Sequence, residues 1–335
     1  MRTETSPLET VTYIDAVARA LRDEMRRDSK VFILGQDVAE YGGAFKVTQG
    51  FIEEFGANRV VNTPISESGT LGMAIGAALL GHRPIVEMQF ADFISCGFNQ
   101  IVNVAAKMYW RTGSSVPLVI RCPTGGGGGG GAFHSQCVEA WFLHTPGLKV
   151  VAPAWPGDAY DLLRASIRDP NPVLYFEHKH LYRRVKEPRA NFERLAAAEP
   201  RLGGARVVRE GSHVTVIAYG WMVHHAADAA ALLEAEGVST EVVDLRVLAP
   251  LDEATILKSV RKTGKAILVH EACLTAGFGA ELAARIADQA FEHLDGPVRR
   301  VAYPDTPVPY NRALELTSIP SVERIAEVIR ELRRW

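Results

Sequence analysis

The chain lacks any long apolar run. "GMAIGAALLG", Gly72 to Gly81, falls far short of the roughly 20 apolar residues that a membrane-spanning helix needs. An excess of one charge is missing too: 37 Lys and Arg face 39 Asp and Glu. With no run of five like charges, neither a nucleic-acid nor an anionic-membrane surface is indicated. Cysteine is scarce. Cys96, Cys122, Cys137 and Cys273 form no C-x-x-C pair, so they read as small, buried, reduced side chains. The N-terminus, "MRTETSPLET", has no apolar signal core and carries Glu4 and Glu9, acids that transit peptides avoid. The expected compartment is the cytoplasm.

Other absences remove whole activities. There is no G-x-x-x-x-G-K-[ST] for a nucleotide, no H-E-x-x-H for zinc and no G-x-S-x-G for a serine nucleophile. His178 and His180 share a strand face, and the adjacent His224 and His225 point apart on a helix. With no third ligand beside them they read as packing or solvated residues.

What is present is a core. Of 335 residues 47% are hydrophobic and 23% charged, enough for two folded domains. "TYIDAVARALRDEMRRD" has helical apolar spacing, with Thr12 and Asp15 as a capping pair. The β-branched runs "VFIL", "RVVNTPI", "PIVEMQF", "VPLVI", "KVVAPA" and "VLYFE" then alternate with helix-length segments, which predicts an α/β fold with a parallel sheet. The rhythm lapses between Val185 and Gly204, read as a linker over 186–204 joining domains 1–185 and 205–335. It resumes as a smaller α/β domain, closed by a helix with Val322, Ile325, Ile329 and Leu332 on one face.

Two places suggest chemistry. Glu67 stands where a strand passes into a helix, at the strand ends where α/β proteins bind ligands. That helix is rich in Gly and Ala, which suits close approach of another backbone. The second place is "TGGGGGGGAFHSQ", Thr124 to Gln136, where seven glycines run into His134, Ser135 and Gln136, a compact set of proton donors and acceptors. Such a run matches G-x-G-x-x-G trivially, and the next strand, "LKVVAPA", ends without the acid a dinucleotide site requires. Unbroken glycine predicts a loop that stays mobile until its ligands arrive.

Taken in order, "TPISESGTLGMAIGAA", "EMQFADF", "AFHSQCVEAWFLHTPGLKVVAPAWPGDAYDLLRASIRDPNPVLYFEHKHLYR" and "VHEACLTAGFGAEL" resemble the beta subunits of the decarboxylating component of 2-oxo acid dehydrogenase complexes, over nearly the whole chain. Pyruvate, branched-chain and acetoin dehydrogenases are the types suggested, and "QFADF" and "TPVPY" lean toward the branched-chain one. The resemblance implies a pyrimidine-type thiamine diphosphate-binding domain followed by a transketolase C-terminal-like domain. In it Glu67 would bond the cofactor's aminopyrimidine, Phe93 would pack on that ring with Gln89 nearby, and His134 would be the active-site histidine. Leu118, Ser166, Asp169 and Asn171 would match a monovalent-cation site of the K⁺ kind. The Mg²⁺ motif G-D-G is absent, so Mg²⁺ and the diphosphate would be held by an alpha subunit in a tetramer of two alpha and two beta chains. The further partners implied are a small 2-oxo acid and a lipoyl-bearing acyltransferase core. Relatives read "LGED" where this chain has "LGQD", placing Gln36 where an acid is usual. A non-catalytic binding module that kept the fold stays open as the alternative.

Overall fold

The computed structural model describes residues 10–335, so the N-terminal stretch with Glu4 and Glu9 lies outside the described residues. The first half runs β1 (Thr10–Thr12), α1 (Tyr13–Arg27), β2 (Val31–Gly35), α2 (Phe51–Phe55), β3 (Val60–Asn62), α3 (Glu67–Leu79) and β4 (Arg83–Glu87). It continues through α4 (Ala106–Thr112), β5 (Val119–Thr124), α5 (Ala140–Leu143), β6 (Lys149–Val151), α6 (Pro156–Arg168) and β7 (Val173–His178). β8 (Lys186–Pro188) and α7 (Arg189–Ala196) follow. The second half holds β9 (Arg206–Arg209), β10 (Val214–Ala218), α8 (Trp221–Glu234), β11 (Thr240–Asp244), β12 (Val247–Ala249) and α9 (Glu253–Thr263). It closes with β13 (Ala266–Cys273), α10 (Phe278–Ala290), β14 (Arg299–Tyr303), α11 (Arg312–Ser318) and α12 (Val322–Arg333).

Local signals set several boundaries. Thr12 caps α1, its hydroxyl accepting from the Asp15 N–H at 3.2 Å. Ile325, Ile329 and Leu332 of α12 are buried as their spacing requires. The first sheet has the order β12-β6-β7-β5-β4-β2-β3, parallel except for β12, and the second has the order β14-β13-β10-β11-β9. β12 comes from the second half of the chain, pairs antiparallel with β6 and so crosses the boundary.

The segment read as a plain linker carries structure. β8 pairs antiparallel with β1, and α7 buries Phe192 completely against Tyr160 of α6. One large apolar anchor in a polar helix is too little to show as periodicity.

Inside the first sheet Arg121 is fully buried. Its Nε and Nη2 donate to Glu177 at 2.7 and 2.8 Å, Nη1 meets Glu87, and Tyr182 donates to Glu177 at 2.8 Å. Burial pushes the Glu87 carboxyl up, with Arg121 opposing.

Candidate functional site

The C-terminal ends of β2, β3, β4 and β5 lie side by side, and the loops leaving them carry the candidate residues. β2 and β4 run so close at Gly35 that a methyl there would lie 2.7 Å from the Glu87 carbonyl. The next residue, Gln36, turns its amide outward, and Nε2 donates to Oε1 of Glu67 at 3.3 Å. Glu67 is the first residue of α3 and half-buried. Gln89 reaches Asp37, Nε2 to Oδ2 at 3.4 Å.

Beyond β4 the chain turns into Ala91–Gly97, a tight helical segment packed on α3, where a methyl at Gly97 would strike Leu71. Phe90 and Phe93 have ring centres 5.7 Å apart, and the His134 imidazole stands edge-on to both, at 4.7 and 5.4 Å. Phe93 and His134 are therefore in direct contact. Among the described residues no hydrogen bond or ring contact joins either to Glu67. Buried Asp92 ties the two aromatic-bearing loops: its Oδ1 accepts from the N–H and Nε2 of Gln136 at 3.1 and 2.9 Å. Lys179 donates to the His134 carbonyl at 2.8 Å and lies 5.4 Å from the Phe90 ring. Burial pushes that ammonium below its usual range. His134 lines a cavity of 430 Å³ with Phe45, Phe90, Lys179, Arg183 and Arg184. Phe90, Asp92 and Lys179 were not legible as site residues. For Asp92 the one available signal was its place between the two aromatics of "QFADF".

Hydrogen bonds from both halves of the chain reach the glycine loop. Its neck is pinned where the Gly125 N–H and the Thr124 hydroxyl both donate to the Gln136 carbonyl. The C-terminal half holds its tip: the Gly126 N–H donates to Glu271 at 2.6 Å and the Gly129 N–H to Glu315 at 2.7 Å. At Gly125, Gly126, Gly127, Gly130 and Gly131 there is no room for a side chain, whereas Gly128 faces open space. A methyl at Gly125 would lie 1.9 Å from His178, and one at Gly131 2.3 Å from the Tyr310 ring.

Beneath the loop His178 and Glu271 meet at 2.7 Å across the two halves. The His180 N–H donates to Nδ1 of His178, so Nε2 carries the proton given to Glu271. Burial raises the Glu271 carboxyl, but His178 and the Gly126 N–H outweigh it and leave it below the usual carboxylate range. Cys137 joins these two within 4.8 Å. Burial, then Glu271, hold its thiol well above the usual range. His224 and His225 bond the carbonyls of Ala154 and Pro320, the packing role expected of them. Cys122 is buried as read, whereas Cys96 and Cys273 are exposed.

At the end of α6, where the expected site of Leu118, Ser166, Asp169 and Asn171 would lie, the Asp169 carboxylate and the Ser166 hydroxyl already have partners. Lys149 holds both Asp169 oxygens at 2.6 and 2.7 Å, and the Asn171 backbone N–H adds a third bond. The Ser166 hydroxyl turns back to the Leu162 carbonyl, and Arg83 takes the carbonyls of Ile167 and Asp169. An Asp169 carboxylate free for a monovalent cation does not fit this corner; an ammonium from the same chain occupies it.

Residues 9–185 match the family model described as transketolase, pyrimidine binding domain, and residues 203–325 match transketolase, C-terminal domain. The 2-oxoisovalerate dehydrogenase subunit beta of Bacillus subtilis (strain 168) is 46% identical over 332 residues, 98% of this chain and 100% of that one. The pyruvate dehydrogenase E1 component subunit beta of Rhizobium meliloti (strain 1021) is 42% identical over 96% of this chain and 70% of its own length. A solved "split gene transketolase, inactive beta4 tetramer" superposes with a TM-score of 0.78 at 22% identity, covering 97% of this chain and 98% of that one. That likeness shows the two-domain transketolase-like fold. The chain belongs to the family of beta subunits of 2-oxo acid dehydrogenase E1 components.

Proposed function

We propose that this chain supplies the pyrimidine half of a thiamine diphosphate site and, with an alpha subunit, decarboxylates a 2-oxo acid and passes the acyl group to a lipoyl arm. One observation carries the reading: Glu67, backed by an amide from Gln36 after β2, and the Phe90–Phe93–His134 group stand in loops at the same end of one sheet's parallel strands. The donor set fits the pyrimidine side of the cofactor. A carboxylate can meet a ring nitrogen, and aromatic walls can flank the ring.

When bound, the cofactor supplies a carbanion that adds to the 2-oxo carbon. Glu67 would hold a proton against the pyrimidine ring, and Gln36 fixes the carboxylate's Oε1 while leaving Oε2 for that contact. His134, wedged by Phe90 and Phe93 and anchored at its carbonyl by Lys179, would handle protons when the acyl group leaves. The basic mouth formed by Lys179, Arg183 and Arg184 suits an anionic substrate.

Two of the loop N–H groups, those of Gly126 and Gly129, are already taken by Glu271 and Glu315, and the sequence lacks G-D-G, so Mg²⁺ and the diphosphate are assigned to the alpha subunit. α3 offers a surface for it: Ile65, Met73 and Leu80 are exposed beside Gly69 and Gly76. A tetramer of two alpha and two beta chains and docking to a lipoyl-bearing core belong to the same proposal, as does a cytoplasmic location. Among the described residues no helix is long and apolar enough to cross a membrane. A cation at the end of α6 would draw on carbonyl oxygens such as that of Leu118, because Lys149 holds Asp169.

The test is co-expression with an alpha subunit and assay with thiamine diphosphate, Mg²⁺ and a panel of 2-oxo acids. Glu67→Gln is expected to lower turnover by about a hundredfold or more while the tetramer still assembles. Full turnover by that variant, or by this chain alone, contradicts the assignment.

A further inference from the structure

Four of the seven loop glycines, Gly125, Gly127, Gly129 and Gly131, have φ of 84°, 86°, 78° and 67°, and Gly130 between the last two has φ −76°. Alternation between left- and right-handed backbone turns successive N–H groups toward one side and makes an anion-binding concavity. Here the anions are the chain's own. Glu271, on β13, takes the Gly126 N–H and is itself held by His178. Glu315, on α11, takes the Gly129 N–H and is fully buried. Both face the same spot: a methyl at Gly126 would lie 2.8 Å from Oε1 of Glu315 and 3.3 Å from Oε1 of Glu271.

The loop has no side chains with which to hold a shape. Its conformation comes from the neck at Gln136, the two carboxylates and the Tyr310 ring over Gly131. Three residues after Gly131 comes His134. An error of one ångström in a reacting group costs about a hundredfold in rate, so whatever fixes this loop also fixes the histidine.

We infer that Glu315, with Glu271, is a positioning residue: the C-terminal domain sets the place of His134 by gripping the glycine loop through its backbone N–H groups. This rests on the proposed role of His134. It assigns the C-terminal domain a part in the reaction although neither glutamate is expected to touch the substrate. It also accounts for two of the glycines, since a side chain at Gly126 would push the carboxylates away and one at Gly125 would collide with His178.

The test uses the reconstituted alpha–beta enzyme. Glu315→Ala removes the acceptor, whereas Glu315→Gln keeps an oxygen able to accept from Gly129. Each is combined with His134→Asn, and three quantities are read: acyl transfer to a free lipoyl domain, melting temperature, and exchange of the Gly126–Gly131 amides. Expected are a loss of about tenfold or more in transfer for Glu315→Ala, faster exchange confined to the loop, and substantial rescue in Glu315→Gln. The double variant with His134→Asn should be no slower than His134→Asn alone. Losses that multiply in the double variant, or equal losses in the Ala and Gln variants, overturn the inference. If Glu315→Ala fails to assemble, Glu315→Gln/His134→Asn against its two single variants decides between coupling and independence. Full activity of His134→Asn would sink the role of the histidine itself, a failure visible apart from any result at Glu315.

Discussion

Gln36 donates to Glu67 across the tips of two neighbouring parallel strands, Nε2 to Oε1 at 3.3 Å. An amide there steadies the carboxylate without adding charge. In Gln36→Glu a second carboxyl takes its place, and two acids at this distance resist ionising together. The acid limb of the turnover–pH profile is expected to move up by about one pH unit. A limb that stays in place would show that Glu67 does not govern it.

Arg121 holds two buried carboxylates at once. Arg121→Met leaves Glu87 and Glu177 without a counter-charge, and the expected cost is about 3–5 kcal/mol in urea unfolding. Removing the charges together, as Arg121→Met with Glu87→Gln and Glu177→Gln, should recover most of that loss. If it does not, hydrogen-bond geometry rather than unpaired charge dominates.

Asp244 is fully buried, and burial, then Asp158, push its carboxyl from 3.8 up to about 8. The folded chain therefore keeps a proton that the unfolded chain releases. This contribution to stability is full below about pH 4 and is lost as pH rises through about 8. Asp244→Asn keeps an oxygen for the Arg246 N–H and has nothing to ionise. Its melting temperature should match the parent near pH 4 and exceed it by several degrees at pH 8, as read by differential scanning calorimetry. A constant gap across pH would rule out the linkage.

Lys149 supplies the positive charge at the end of α6. In Lys149→Met the Asp169 carboxylate loses that partner, so KCl should stabilise the variant over choline chloride more than it stabilises the parent. Thermal melts of both proteins in the two salts give the comparison, and equal responses would show that Asp169 does not recruit a cation.

What could be read in the sequence was local. The Thr12–Asp15 cap spans three residues, strand and helix periods show within ten, and Glu67 at a strand-to-helix junction follows from the two patterns meeting. The site's supports are distant. Glu271 lies 145 residues from Gly126, and Glu315 lies 186 from Gly129. No window contains such pairs, and each glutamate resembles an ordinary acid on its own element. The family resemblance supplied Phe93 and His134, but Asp92 and Lys179, which hold their loops, carry no pattern beyond their neighbours. The ammonium beside Asp169 could not be foreseen either, because Lys149 sits on another strand.

The three residues of β12 bear on how the chain is made. The first sheet ends in β6, and what covers β6 is a strand from the other half. During synthesis the first domain must therefore wait, its outer edge unpaired and open to wrong pairing, until Ala249 has left the ribosome.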